Sequence, residues 1–190
     1  MGKHDKSGNS GPSSSSSASL FNSSASLILP SLYIGPCSAA SSKAFLYTNG
    51  VTHVLSVGAT PTNPVENVVY QRISISDSPS SSIIKVCDSA CYIIDAALSS
   101  HNGTGKILVH CSAGISRSPM VVAAYLMRRR GMSLREALSQ IIQVRPQVSP
   151  NAGFLAQLKE LEMGLRGVIS LEVNELPKKE KDRVALLTRS

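Results

Sequence analysis

Large apolar residues are nearly absent from the start of the chain. Between about residues 7 and 26 only Leu20 and Phe21 interrupt a run dominated by serine. Such a segment cannot offset its ordering entropy by burial, so residues 1–26 read as a flexible Ser-rich tail. The pattern changes at "LILPSLYIG" (Leu27 to Gly35), two short extended runs broken by Pro30, as at a sheet edge. "GPCSAASSKAFLYTNG" predicts a short helix closed by Asn49 and Gly50. "VTHVLSVG" (Val51 to Gly58) is β-branched and almost continuously apolar, the signature of a strand buried on both faces. "VVYQRISI" (Val68 to Ile75) alternates and predicts another strand.

A change of period follows. Ile83, Val86, Cys87, Ala90, Ile94 and Ala97 recur at helical spacing, which predicts a helix over 83–98. "HNGTG" is a turn, Lys106 to His110 a short buried strand, and Ser118 to Gly131 a helix with Pro119 in its first turn and Gly131 beyond its end. "SLREALSQIIQV" opens with Ser133 and Glu136 in capping-box register and stops before Pro146. Asn151 to Arg166 carries Phe154, Leu155, Leu158 and Leu161 on one side. Beyond Gly167 the pattern weakens and "PKKEKDR" is charged, so 169–190 reads as a second tail. Strands mixed with helices predict an α/β fold, a central mixed and mostly parallel sheet with helices on both faces, in one domain over 27–168.

Composition narrows this picture. With 190 residues, 42% hydrophobic and 16% charged, the chain has enough apolar material for one substantial core. Its net charge of +7 suggests acidic partners. The densest basic cluster is Arg128, Arg129 and Arg130, read either as a solvated helix end or as a docking patch for an acidic partner. No interleaving of basic and aromatic residues points to nucleic acid. The apolar runs are too short to span a bilayer. Cys37, Cys87, Cys91 and Cys111 have neither C-x-x-C spacing nor histidines at metal-ligand separation, so no metal site is expected. Free thiols predict a reducing intracellular compartment, cytoplasm or nucleus, and Cys87 and Cys91 read as core thiols of their helix.

The chemistry concentrates in "VHCSAGISRS", Val109 to Ser118, between a buried strand and a helix. In open α/β sheets ligands bind at the carboxyl ends of strands. From Ser112 through Ala113, Gly114, Ile115 and Ser116 to Arg117, a short Gly-containing loop enters a helix N-terminus, so its N–H groups can converge on an anion. Arg117 adds a planar fork of donors suited to two oxygens of a tetrahedral dianion. The same field stabilises the Cys111 thiolate below the free-thiol range and makes it a nucleophile. Ser118 can support the sulfur as leaving group, and His110 can fix the loop's shape.

"HCSAGISRS" resembles the signature of the cysteine-dependent protein phosphatases. "AYLMRRRGMSLREAL" and "RPQVSPNAGFLAQLKELE" are similar to the dual-specificity branch, of a small atypical type, over about Leu27 to Arg166. The resemblance implies two-step phosphate monoester hydrolysis through a phosphocysteine, without metal or cofactor. It also implies an aspartate general acid about thirty residues ahead of the cysteine. Of five aspartates, Asp5 and Asp182 lie in the tails and Asp88 and Asp95 within a helix, while Asp77 follows a strand and opens a loop. Asp77 matches that position; by itself it is also a turn-capping residue. Asn151 matches a residue whose amide braces the phosphate loop, and is equally placed to be an N-cap.

Met120 departs from the family's usual smaller residue, which bears on packing behind the loop. The uncharged variable positions, Ser112, Ala113, Ile115 and Ser116, favour a phosphoprotein substrate, a protein kinase among the candidates, over inositol phosphates or lipids. A shallow cleft open to phosphotyrosine, phosphothreonine and phosphoserine is expected. Rival readings are a lipid or inositol phosphate phosphatase of the same fold, a phosphate-binding pseudophosphatase, and an arsenate reductase using Cys87 and Cys91 as shuttles.

Overall fold

A computed structural model describes residues 24–188. Most of the Ser-rich tail lies outside that range, but its last residues do not. Ser26–Leu29 form β1, and Ser24 O accepts a hydrogen bond from Arg145 Nη1 at 2.8 Å. The remaining strands are β2 (Leu32–Gly35), β3 (His53–Val57), β4 (Val69–Ile73) and β5 (Ile107–His110), in sheet order β1-β2-β5-β3-β4. β1 pairs antiparallel with β2, with Pro30 in the tight connection; every other pairing is parallel.

Period-two alternation assigns the side chains of the central strands to two cores. Leu32, Ile34, Leu55, Val57, Ile107 and Val109 join the larger core, whereas Tyr33, Val54 and Leu108 join a smaller one. The smaller core is closed by α1 (Cys37–Ala40) and α2 (Lys43–Thr48), two short helices where the pattern predicted one. Ser42 divides them because its side chain accepts from Phe45 N at 3.2 Å and restarts the helix as an N-cap.

The larger core is covered by α3 (Ile84–Gly103), α4 (Arg117–Arg130), α5 (Leu134–Val144) and α6 (Ala152–Arg166). The regular part of α3 stops at Ser100, where His101 and Asn102 adopt positive φ, close to the expected boundary. α4 is the central helix, buried from Ser118 through Met127. α5 carries the predicted capping box between Ser133 and Glu136.

The second expected tail is corrected. Residues after Gly167 fold back, and α7 (Glu180–Thr188) packs on α5 with Leu171, Leu176 and Leu187 buried in the main core. Two buried ions hold this segment, neither legible from "PKKEKDR". Arg183 donates to Pro146 O, Pro177 O and Lys178 O, while Glu162 accepts from Leu134 N, Ser170 N and Ser170 Oγ. Sequence charge pointed outward because single apolar residues spaced five and eleven apart have no helical or strand period.

In the arginine cluster, Arg128 pairs with Asp88 and Arg129 Nε lies 2.8 Å from Asp95 Oδ2, so two of the three side chains join α4 to α3 through partly exposed ion pairs.

Candidate active site

Three parallel strands end on one edge of the sheet. β5 delivers Cys111, β3 delivers Gly58, and the chain leaving β4 delivers Asp77. The site therefore draws on residues 58, 77 and 111, which only sheet pairing brings together.

A loop can aim its N–H groups inward only if its carbonyls point outward and are satisfied there. Here each carbonyl from 111 to 116 has a donor. Cys111 O accepts from His110 Nδ1 at 3.2 Å, Ser112 O from Cys37 N at 3.1 Å, and Ala113 O from Arg145 Nη2 at 3.0 Å. Gly114 O accepts from Arg145 Nε at 2.9 Å, Ile115 O from Ser149 N at 2.8 Å, and Ser116 O from Met120 N at 3.1 Å. Gly114 is required as well. Its φ is 68°, and a Cβ there would stand 2.6 Å from the Gly35 carbonyl.

Cys111 sits at the floor, 2% exposed. Burial pushes its thiol up, but the Ser118 hydroxyl, 3.4 Å from Sγ, and the N–H groups of Ser118, Gly114 and Ile115 outweigh burial and bring it below the ordinary value of 9.0. Burial lowers His110, so the ring is neutral. A carbonyl can only accept, so Nδ1 carries the proton, and Nε2 accepts from Ser56 Oγ at 2.8 Å. Cys87 and Cys91 contrast with Cys111, since burial raises them to about 12 and about 11. Held inert in the core, they do not fit the shuttle role of an arsenate reductase.

Arg117 Nη2 donates to Ser112 Oγ at 2.8 Å, leaving its buried Nε without a hydrogen bond. Gly58, at φ 81°, makes room for this guanidinium, because any Cβ there would collide with Arg117 Nη1 and Ile75 O. Asp77 faces the same guanidinium with Oδ2 3.8 Å from Nε. Its Oδ1 accepts from Ser116 Oγ at 2.7 Å and Asn151 Nδ2 at 2.8 Å. Asn151 shows the expected cap, with Oδ1 accepting from Phe154 N at the start of α6, but its side-chain amide donates to Asp77 and not to the phosphate loop, which it reaches only through its backbone N–H on Ser116 Oγ at 3.2 Å.

Sequence reasoning missed Ser56, Gly58, Arg145 and the two residues that hold the Asp77 loop on α6. Gln157 binds Ser81 O and Ile83 N at 2.9 and 3.0 Å, and Gly153 admits Pro79 so closely that a Cβ would overlap its carbonyl. Gly58 at a strand end and Arg145 amid apolar neighbours were the available signals.

Loss of the Ser118 hydroxyl removes one of the groups that lower the Cys111 thiol. In Ser118→Ala the thiolate then forms only at higher pH, so the acidic limb of kcat/KM and the midpoint of iodoacetamide alkylation both move upward in pH. An unchanged midpoint contradicts this account of the sulfur.

A mixed sheet of this order, with a lowered thiol inside a nest at its carboxyl edge, defines a protein of the tyrosine phosphatase-like fold class. The chain belongs to the dual specificity phosphatase family: residues 32–163 match its catalytic domain. It is similar to Dual specificity protein phosphatase 1 of Arabidopsis thaliana, 40% identical over 74% of this chain and 70% of that protein. Dual specificity protein phosphatase 18 of Homo sapiens is 35% identical over 85% of this chain and 88% of its own length. The crystal structure of human DUSP28 superposes with a TM-score of 0.67 at 32% identity, covering 75% of this chain and 95% of that one. The chain is accordingly an enzyme, a dual-specificity protein phosphatase. No helix among the described residues is long and apolar enough to cross a membrane.

Proposed function

We propose that the chain hydrolyses phosphotyrosine, phosphothreonine and phosphoserine in proteins by a two-step phosphocysteine mechanism. In the first step the Cys111 thiolate attacks phosphorus, the P–O ester bond breaks, and the leaving oxygen takes a proton from Asp77. In the second, water attacks phosphorus, Asp77 takes its proton, and the P–S bond breaks to release inorganic phosphate. Ser118 stabilises the departing thiolate. Arg117 Nε and the loop N–H groups hold the equatorial oxygens, whose charge is greatest in the transition state. A reducing compartment, cytoplasm or nucleus, keeps Cys111 in the thiol form this chemistry needs.

The observation that carries this reading is geometric: a 2% exposed cysteine lies 3.4 Å from the Ser118 hydroxyl, at the floor of a loop whose carbonyls all turn outward to other donors, with Arg117 and Asp77 beside it. The phosphoprotein preference rests on the loop's own variable positions, Ser112, Ala113, Ile115 and Ser116, all uncharged; of these Ile115 is 36% exposed and suits the body of an aryl or alkyl phosphate. Turnover of matched phosphotyrosine, phosphothreonine and phosphoinositide substrates tests it. Both phosphopeptides are expected to exceed the phosphoinositide in kcat/KM by tenfold or more, about 1.4 kcal/mol. A dominant phosphoinositide activity overturns the substrate assignment.

A further inference from the structure

At the amino end of β3, the sheet edge opposite the one that carries Cys111, two histidines from distant parts of the chain meet. His53 opens β3, and His101 lies in the turn that ends α3; their ring centroids are 6.0 Å apart and the ring planes stand at 84°. His53 is half-buried and His101 exposed. The turn that presents His101 is strained, because His101 and Asn102 follow one another in the left-handed region, at φ 52° and 56°.

Hydrogen bonds decide which nitrogen of each ring carries the proton. A hydroxyl has one proton to give. Thr52 Oγ1 gives its proton to Lys106 O at 3.0 Å, and Ser100 Oγ gives its own to Ala97 O at 2.6 Å. Each oxygen also lies against a histidine Nδ1, Thr52 Oγ1 at 2.8 Å from His53 and Ser100 Oγ at 2.9 Å from His101. With the hydroxyl protons spent, both Nδ1 atoms are the donors. The two neutral rings therefore keep their lone pairs on Nε2, and among the described residues neither Nε2 has a hydrogen-bond partner. Burial, and after it the neighbouring His101, lower His53 and keep its ring uncharged. The charged side chain among these partners, Lys106, places its ammonium on Asn49 O at 2.9 Å.

A metal-binding imidazole is set in this way, with one nitrogen anchored as a donor to oxygen and the other free and basic. Imidazole nitrogens hold zinc at about 2.0–2.1 Å, so two rings on one ion stand about 5 to 6 Å apart between centroids, with their planes free to turn about the metal–nitrogen bonds. We infer that His53 and His101 form a binding site for a divalent cation that favours imidazole, zinc or its neighbours copper and nickel, with water in the remaining positions. Such an ion ties the turn after α3 to the start of β3. Gly58, at the other end of β3, belongs to the active site, so the length of the strand separates the two sites.

Zinc chloride titrated into the full chain tests this, followed by calorimetry and by thermal unfolding. Cys111→Ser and His4→Gln form the background, because a thiolate and a histidine near the chain's start also bind zinc. One zinc per chain is expected, with a Tm that rises as zinc is added, whereas Mg2+, which takes oxygen ligands, raises it not at all. His53→Gln and His101→Asn each weaken binding by about tenfold or more, and Ser100→Ala, which releases the His101 tautomer, by about tenfold. Asparagine is the choice at 101 because it accepts the left-handed conformation. Nitrogen NMR spectra of the histidine rings give a readout that does not depend on the variants folding: without metal both rings show the Nδ1–H tautomer, and zinc shifts both Nε2 signals. Rings protonated at Nε2, zinc binding that survives either histidine substitution, or an equal response to Mg2+ overturns the site.

Discussion

Cys111→Ser is expected to reduce hydrolysis of an aryl phosphate by about 10⁵-fold or more, the scale of removing a nucleophile whose partners stay in place. At neutral pH the serine hydroxyl is not ionised, and the donors that suffice to lower a thiol do not suffice to ionise an alcohol. Binding survives, because the cradle does not depend on sulfur. Its outward carbonyls are held by His110, Cys37, Arg145, Ser149 and Met120, none through Sγ. The variant should therefore retain phosphopeptides without turning them over, measured as binding by calorimetry beside a null rate. Retained turnover removes Cys111 from its role.

Asp77→Asn is expected to have the next largest effect, a loss of about 10²- to 10⁴-fold on substrates with poor leaving groups. Asparagine keeps the Oδ1 acceptor used by Ser116 and Asn151, so the loop's attachment is preserved while the proton at Oδ2 is no longer available. The loss should be steep for phosphothreonine, whose alkoxide needs a proton, and shallow for p-nitrophenyl phosphate, whose leaving group departs as an anion. Rates across a series of leaving groups measure the slope. An equal loss for all of them reassigns Asp77 to holding Arg117, 3.8 Å away, rather than to proton transfer.

Asp77 and Asn151 also show how a residue's surroundings separate roles that its type leaves open. An aspartate after a strand and an asparagine at a helix start are each common as caps. Their contact at 2.8 Å makes them parts of one device, with Asn151 capping α6 and holding the aspartate at once. Ser116 joins the same device. It faces Asp77 through Oγ and accepts from Asn151 N, so the phosphate loop, the acid loop and α6 meet at one hydroxyl.

What the sequence determined by itself was everything written in local period and adjacency. The buried strand before Cys111, the helix after it, the capping box at Ser133 and the alternation of β4 are set by neighbours within one or two turns of chain. The loop Ser112 to Arg117 belongs to the same class, since a nest is built from consecutive N–H groups. Only the tertiary structure decided which distant groups complete it. The outward carbonyls need donors from residues 37, 145 and 149, and the neutral His110 ring needs Ser56 across the β3–β5 pairing. The fate of the C-terminal segment was decided there too. Leu171, Leu176 and Leu187 are isolated in a charged sequence, and they become core only because α5 and α6 present a shared apolar face with Glu162 buried beside it. Local pattern reports the burial of elements that repeat; single anchors and long-range hydrogen bonds have no period, so they become visible only when the chain closes on itself.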